Sequence, residues 1–239
     1  MKEKKNKEYK VPKRRQPIFT PVKQVLKLFY RKPKIVYLDE KLPDKAIIIS
    51  NHCSKKGPMA LEIYLPVFNV KWGAYEMLGN YKSRFRYLRD VYYMQKKGLG
   101  KFSASLHAGF EAIFSKLFYK GMKFLPTYSD GRLMTTINNS MKVLDSGASI
   151  MIFPENSNEG YKEEMTEFFP GFVMLAERYL KKGGDAPICP IYYNDKKRVI
   201  IVGKQYNIKE FIDKGLDRYQ IAEEVRNIVN DLYHKSLNL

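Results

Sequence analysis

Two stretches of this chain place polar side chains directly after a short apolar run. In the first, Asn51 and His52 follow the run 46–50, which is rich in isoleucine. In the second, Pro154 and Glu155 follow the apolar run 148–153. A histidine changes charge near neutral pH, so His52 has the chemistry of a general base.

The residues around His52 predict a strand that ends at the histidine and a helix that follows it. A short, β-branched apolar run is typical of a strand that is covered on both faces. Gly57 gives the backbone freedom to turn, and Pro58 fits the first turn of a helix over 58–64. His52 would then lie at the edge of the sheet where open α/β folds bind ligands. A histidine at a strand end can also merely satisfy backbone hydrogen bonds, but the similar arrangement at Glu155 favours a functional role.

The rest of the chain alternates between strand and helix patterns. Further strands are predicted at 33–38, 67–72, 123–127, 188–193 and 199–202, and helices at 22–30, 77–94, 102–119, 133–144, 166–180 and from 208 onward. This alternation predicts an α/β fold with a mostly parallel central sheet flanked by helices. We expect residues 34–239 to form a single domain.

The net charge of +18 over 239 residues predicts a polyanionic partner, either nucleic acid or an anionic membrane surface. Much of this positive charge lies in residues 1–33, which are predicted to form a basic arm (1–15) followed by a basic amphipathic helix (22–30). Such a helix either lies among lipid headgroups or packs on its own domain. Because no base-reading motif accompanies these residues, we expect a membrane surface and no nucleic acid.

Several features of the sequence limit the choice of cellular compartment. The helix 102–119 is rich in large apolar residues, but His107, Glu111 and Lys116 interrupt it, so it predicts no transmembrane span. Such a helix is typically part of the core, although part of it could line an apolar ligand slot or a membrane entry surface. No signal peptide is recognised, and Cys53 and Cys189 show neither metal spacing nor a disulfide framework. These observations predict a cytoplasmic protein that is peripheral on the inner face of the membrane.

Four blocks between residues 46 and 206, in order, resemble the glycerolipid acyltransferase family, whose members acylate lysophosphatidate or glycerol phosphate. They are Asn51-His52, Arg132 in SDGRLMTT, Phe153-Pro154-Glu155 followed by Asn156-Ser157-Asn158, and the proline-bracketed strand 187–192 with the later Gly203.

This resemblance implies transfer of a fatty acyl group from acyl-CoA or acyl carrier protein to a hydroxyl of a lysophospholipid or glycerol-phosphate-like acceptor. His52 would be the general base. Arg132 would hold an acceptor phosphate, which a guanidinium matches with two contacts. Glu155, with Asn51 and Ser157, would bind the acceptor. The resemblance implies no metal and no cofactor beyond the acyl carrier.

Two departures from the family pattern leave alternatives open. Gly57 stands where the family has the Asp that orients the histidine, and in serine proteases neutralising the equivalent Asp lowers turnover by about four orders of magnitude. Glu62, Asp130 or a backbone carbonyl would have to orient His52; otherwise the chain is a weak or inactive lipid-binding relative.

Asn158 stands where the family has an Arg. Lys55, Lys56 or Lys162 would replace that charge; otherwise the acceptor carries no phosphate.

Overall fold

The computed structural model describes residues 9–14 and 16–239 and contains one seven-stranded sheet. The strands are β1 Lys34–Tyr37, β2 Ile47–Ser50, β3 Asn69–Ala74, β4 Phe124–Thr127, β5 Ser149–Ile152, β6 Ile188–Asn194 and β7 Val199–Val202. Their order across the sheet is β1-β7-β6-β2-β5-β3-β4. All pairs are parallel except β6 and β7, which form an antiparallel pair. This architecture confirms the predicted α/β fold with a mostly parallel sheet.

Helices connect the strands. They are α1 Phe19–Phe29, α2 Lys56–Tyr64, α3 Tyr75–Leu78, α4 Tyr81–Arg86, α5 Lys101–Gly121, α6 Leu133–Asp145, α7 Gly171–Lys181, α8 Ile208–Ile212 and α9 Arg218–Leu237, with a π-helix at Tyr87–Gln95 between α4 and α5.

Strand β2 lies at the centre of the sheet, and all four of its residues are buried. Its neighbours are β6 and β5, so that Ile48 pairs with Cys189 on one side and Met151 on the other. Successive side chains point to opposite faces. Accordingly, the side chains of Ile47 and Ile49 belong to the main hydrophobic core. The side chain of Ile48 belongs to a second, smaller hydrophobic core, which also contains Leu61 of α2. The buried apolar run therefore sets the position of the polar residues that follow it.

Two predicted helices differ in the structure. The stretch predicted as one helix over 77–94 is divided into α3, α4 and the π-helix. The break occurs at Gly79–Asn80, where the Asn80 side chain accepts the backbone N–H of Ser83 at 2.9 Å and caps α4. The helix predicted over 166–180 begins only at Gly171, because Phe168 forms an antiparallel bridge with Glu155.

Helix α1 packs one side against the body of the protein. Phe19 is buried and meets the ring of Phe118 of α5 edge-on at 6.1 Å. Before α1, Tyr9 and Val11 pack against the main core. Residues 1–8 and 15 of the predicted basic arm lie outside the described residues, and the division between 1–33 and 34–239 stays a prediction.

Helix α5 packs in the opposite orientation to the one its composition suggests. Its buried positions are mostly small, including Ala104, Ala108 and Ala112. Its large apolar residues form an exposed stripe of Phe102, Leu106, Phe110, Ile113, Phe114 and Leu117, which we call the α5 stripe. The expectation that this face is core is therefore wrong. Among the described residues, no helix combines the length and apolar character that a membrane crossing needs.

Candidate active site

The carboxyl ends of β2 and β5 bring His52 and Glu155 together. The two strands are parallel neighbours, so the loops that leave them emerge at the same edge of the sheet. The backbone N–H of His52 donates a hydrogen bond to Oε2 of Glu155 at 3.4 Å. Two residues that are 103 positions apart in sequence therefore meet at one site.

A tight turn after β2 sets the position of His52. Cys53 and Ser54 have φ values of 43° and 57°, in the left-handed region that non-glycine residues rarely occupy. The Ser54 hydroxyl is hydrogen-bonded to the hydroxyl of Tyr92 at 2.9 Å. Gly57 closes the turn, and a Cβ atom on Gly57 would lie only 2.3 Å from the carbonyl oxygen of His52. The glycine at this position is therefore required by packing.

The His52 ring lies between aromatic side chains. Tyr161 stacks on it with 4.8 Å between ring centroids, and Phe153 meets it edge-on at 5.1 Å. The Nδ1 atom is buried and has no hydrogen-bond partner among the residues that the structure describes. Burial and, to a smaller degree, the charge of Lys96 lower the pKa of His52 to about 4, and backbone groups of Ser54 and His52 weakly oppose this. The imidazole is therefore neutral at pH 7.

Glu155 is a buried carboxylate that accepts backbone hydrogen bonds on both oxygens. Besides the His52 N–H on Oε2, the N–H of Lys162 donates to Oε1 at 3.4 Å. Burial raises the pKa of Glu155, while these two N–H groups and the charge of Lys96 act in the opposite direction. The side chain thus holds the loop after β5 against the loop after β2.

Lys96, which directly follows the π-helix, brings a cation to the site. Its Nζ donates a hydrogen bond to Oγ of Ser157 at 2.6 Å and lies 5.3 Å from the centre of the Tyr161 ring. Burial lowers the pKa of Lys96, whereas the charge of Glu155 raises it. Sequence analysis missed this lysine, and no local pattern around it marks it as a site residue.

The three lysines that sequence analysis offered as replacement cations are bound to other acids. Lys55 contacts Glu111 and lies 4.1 Å from the centre of the Tyr92 ring. Lys56 pairs with Asp195 at 2.6 Å, and Lys162 pairs with Glu159 at 2.9 Å. In the structure, the cation beside Ser157 is Lys96.

Asn51 joins two strands. Its Nδ2 donates to the carbonyl oxygen of Tyr193 at 3.0 Å, and its Oδ1 accepts the N–H of Tyr193 at 2.8 Å. The residue is buried. Because both polar atoms of the amide are used in joining β2 to β6, these contacts give no support to the predicted role in acceptor binding.

Glu62 and Asp130, two of the groups expected to orient His52, form ion pairs elsewhere. Glu62 accepts hydrogen bonds from Lys23 at 2.9 Å, from Lys123 at 3.0 Å and from Lys71, and no contact with His52 is found in the described chain. It lies five positions past Gly57 on α2, and that offset turns its side chain to a different face. The predicted pairing of Glu62 with His52 is therefore not observed.

Arg132 stands at the same edge of the sheet, but away from His52. It follows β4, which lies three strands from β2, so about 14 Å separates the two strand ends at roughly 4.8 Å per strand. Its guanidinium pairs with Asp130 at 2.7 Å and lies 4.8 Å and 4.3 Å from the centres of the Tyr75 and Tyr128 rings, which stack on each other. An acceptor phosphate at Arg132 would have to compete with Asp130, and its predicted role stays a prediction.

Within 9–14 and 16–239, no three His, Cys, Asp or Glu side chains converge in a way that could hold a metal ion.

The contacts described above define the candidate site at the carboxyl edge of the sheet. It consists of His52, Glu155, Ser157, Lys96 and Tyr161.

This fold has a solved counterpart. The chain is similar to the crystal structure of the 1-acyl-sn-glycerophosphate (LPA) acyltransferase PlsC from Thermotoga maritima, with a TM-score of 0.50 and 11% sequence identity. The similarity covers 91% of this chain and 78% of that chain. At this identity the comparison shows a shared fold. No protein-family model and no curated protein sequence matches the chain.

Proposed function

We propose that this protein is an acyltransferase that moves a fatty acyl group from an acyl thioester to a hydroxyl of a lysophospholipid or glycerol-phosphate-like acceptor. The acyl carrier would be acyl-CoA or acyl carrier protein. The observation that carries the proposal is the contact between the His52 backbone and the Glu155 carboxylate at the edge of an acyltransferase-like fold.

The reaction needs one proton acceptor. Neutral His52 would take the proton of the acceptor hydroxyl as its oxygen attacks the thioester carbonyl. The tetrahedral intermediate would then expel the carrier thiolate, which takes the proton back from the imidazolium. A thioester is already activated, so this route needs no covalent intermediate on the protein.

The low pKa of His52 has two consequences for this mechanism. With a pKa of about 4, the imidazole is fully available as a base at pH 7. However, a weaker base takes a proton less readily, and a base is most efficient when its pKa lies near the working pH. We therefore expect slow turnover, unless the bound substrate raises the pKa of His52.

Lys96 is the best-placed cation for a phosphate or a developing oxyanion. Its Nζ is next to Ser157, and its charge acts on both His52 and Glu155. In this proposal Lys96 supplies the charge that the family draws from the Arg at the position of Asn158. Ser157 stays a proposed acceptor contact because its hydroxyl lies beside this cation.

In this proposal, the protein acts at an anionic membrane surface. The α5 stripe spans 16 residues, which is roughly 23 Å of helix at 1.5 Å per residue, and large exposed apolar patches mark interaction sites. Helix α1 also exposes the apolar side chains of Val25, Leu28 and Phe29. The net charge of +18 suits anionic lipids.

A catalytically weak, lipid-binding relative is the second candidate. It is favoured by the buried Nδ1 of His52, which has no carboxylate beside it among the described residues. Lipid that co-purifies with the protein, without turnover, would support this candidate.

The test uses the full chain on vesicles that contain an anionic phospholipid and a lysophospholipid. Acyl-CoA and acyl carrier protein are supplied in separate reactions, and thiol release and acylated product are measured together. The variant His52→Gln tests the proposed base. Its matched control is His234→Gln, because His234 is exposed and paired with Glu164 at 2.9 Å. Thiol release without acylated lipid, or no release with either carrier, would contradict the acyltransferase proposal.

A further inference from the structure

A polar cavity lies beside α1, and its lining also includes Arg14, Ile63 of α2 and Lys123. Its volume is about 190 Å³. Four cations are among the residues that line it: Arg14, Lys23, Lys27 and Lys123. The described lining contains no acid and no residue of the His52 site.

The wall behind this cavity already carries more positive than negative charge. Glu62 is the acceptor for three lysines, Lys23, Lys71 and Lys123. Lys71 and Lys123 have almost no exposed surface. If all three lysines are protonated, one carboxylate leaves this cluster with a formal charge of +2.

Glu62 stays ionised in this setting. Burial alone would raise its pKa, but the three lysines outweigh burial and lower the pKa to about 2. Burial lowers the pKa of Lys71, and the charge of Glu62 counteracts this. Buried cations that lack a full complement of anions are costly, so an anion in the adjoining cavity would stabilise the cluster.

We propose that this cavity binds a phosphoryl group, either from a free phosphate compound or from an anionic phospholipid headgroup. Charge and size favour this ligand class: a phosphate matches several cationic donors at once, and the cavity has room for it. Because α1 forms one wall, the bound anion would also hold α1 against the body of the protein. This site is independent of the acyl transfer proposed for His52.

The test measures binding of inorganic phosphate, a short-chain phosphatidate and vesicles with or without phosphatidate to the full chain. The variant Arg14→Met/Lys27→Met removes two exposed cations of the lining and leaves the Glu62 cluster intact. The control variant Lys181→Met/Lys182→Met removes the same charge from an exposed position at the end of α7.

We expect the lining variant to weaken phosphoryl binding about 30-fold or more, because it removes two of the four cations that line the cavity and could donate charge-assisted hydrogen bonds to the anion. The control should change affinity by less than a factor of about two at physiological salt. Binding of inorganic phosphate would identify a free phosphate as sufficient, whereas binding of the short-chain phosphatidate alone would identify the headgroup.

Hydrogen exchange supplies a second readout that does not depend on activity. A ligand that binds the cavity should slow exchange in α1 of the wild type, and this effect should be lost in the lining variant. Absence of binding by all three probes, or equal binding by the lining and control variants, would overturn the proposal. Acyl transfer by His52 would be unaffected by that result.

Discussion

The pKa of His52 offers a detailed test of the site, because it reports what surrounds the imidazole. A carboxylate at Nδ1 would raise the pKa of a histidine, whereas burial without a partner lowers it. The structure places no partner on Nδ1 within the described chain and lowers the pKa to about 4 from the usual 6.5. At pH 5.5 an ordinary histidine is about 90% protonated, whereas His52 would be only about 3% protonated.

Proton NMR of the imidazole rings measures this difference directly. The chain has three histidines, so a His52→Gln variant assigns the signal. We expect the His52 signal to stay in the neutral form from pH 8 to pH 5 and to begin titrating only near pH 4. A Lys96→Met variant should move the midpoint upward, because Lys96 is the second-largest cause of the shift.

The same shift predicts a pH dependence of stability. The unfolded chain takes up a proton near pH 6.5 and the folded chain only near pH 4, so folding stability falls as pH decreases between these values. At about 1.4 kcal/mol per pH unit, the difference between a pKa of 6.5 and one of about 4 corresponds to a loss of at most about 3.5 kcal/mol, and the partial exposure of the His52 side chain to solvent reduces this loss. In denaturant unfolding, the His52→Gln variant should lack this dependence of the unfolding free energy on pH.

The NMR titration also supplies the contradicting result. A titration midpoint of His52 at or above pH 6.5 would refute the view that the imidazole is buried without a carboxylate.

Three further predictions concern packing and the surface. Glu62→Gln should lower the free energy of unfolding by about 3–5 kcal/mol, since it leaves buried lysines without their carboxylate; chemical denaturation measures this, and a loss below about 1 kcal/mol would contradict it. Gly57→Asp should destabilise the fold and fail to raise acyl transfer, because its Cβ would meet the His52 carbonyl; a stable and faster variant would contradict this. Phe110→Ser/Ile113→Ser should weaken binding to anionic vesicles about ten-fold or more at unchanged melting temperature, since both side chains are exposed; unchanged pelleting would contradict the membrane role of the α5 stripe.

The parts of the fold that follow from buried apolar runs could be predicted from the sequence. The run before His52 and the run before Glu155 predict strands, because short apolar runs that contain isoleucine fit a strand covered on both faces. In a parallel sheet such strands release their loops at one edge, so the meeting of His52 and Glu155 was also predictable.

Long-range partners could not be predicted in the same way. Lys96 reaches Ser157 from 61 positions away, and only the path of the chain through the π-helix brings it there. Glu62 resembles a catalytic acid in sequence, but its role depends on lysines from three other segments.

The orientation of α5 shows a different limit of sequence analysis. Large apolar residues on one stripe and alanines on the other are both compatible with burial. The structure buries the alanine side, where small side chains allow close packing. Periodicity identifies the two faces of a helix, but it does not state which face meets the protein.

Acyl transfer by purified wild type and His52→Gln, on vesicles with a lysophospholipid acceptor, is the most direct test of the proposed function. We expect the wild type to release the carrier thiol and form acylated lipid in equal amounts. The His52→Gln variant should fold normally and lose about 100-fold or more of this activity, as the loss of a general base predicts. Equal activity in the two proteins, or a wild type that is inactive with both acyl carriers, would contradict the assignment of His52 as the base of an acyltransferase.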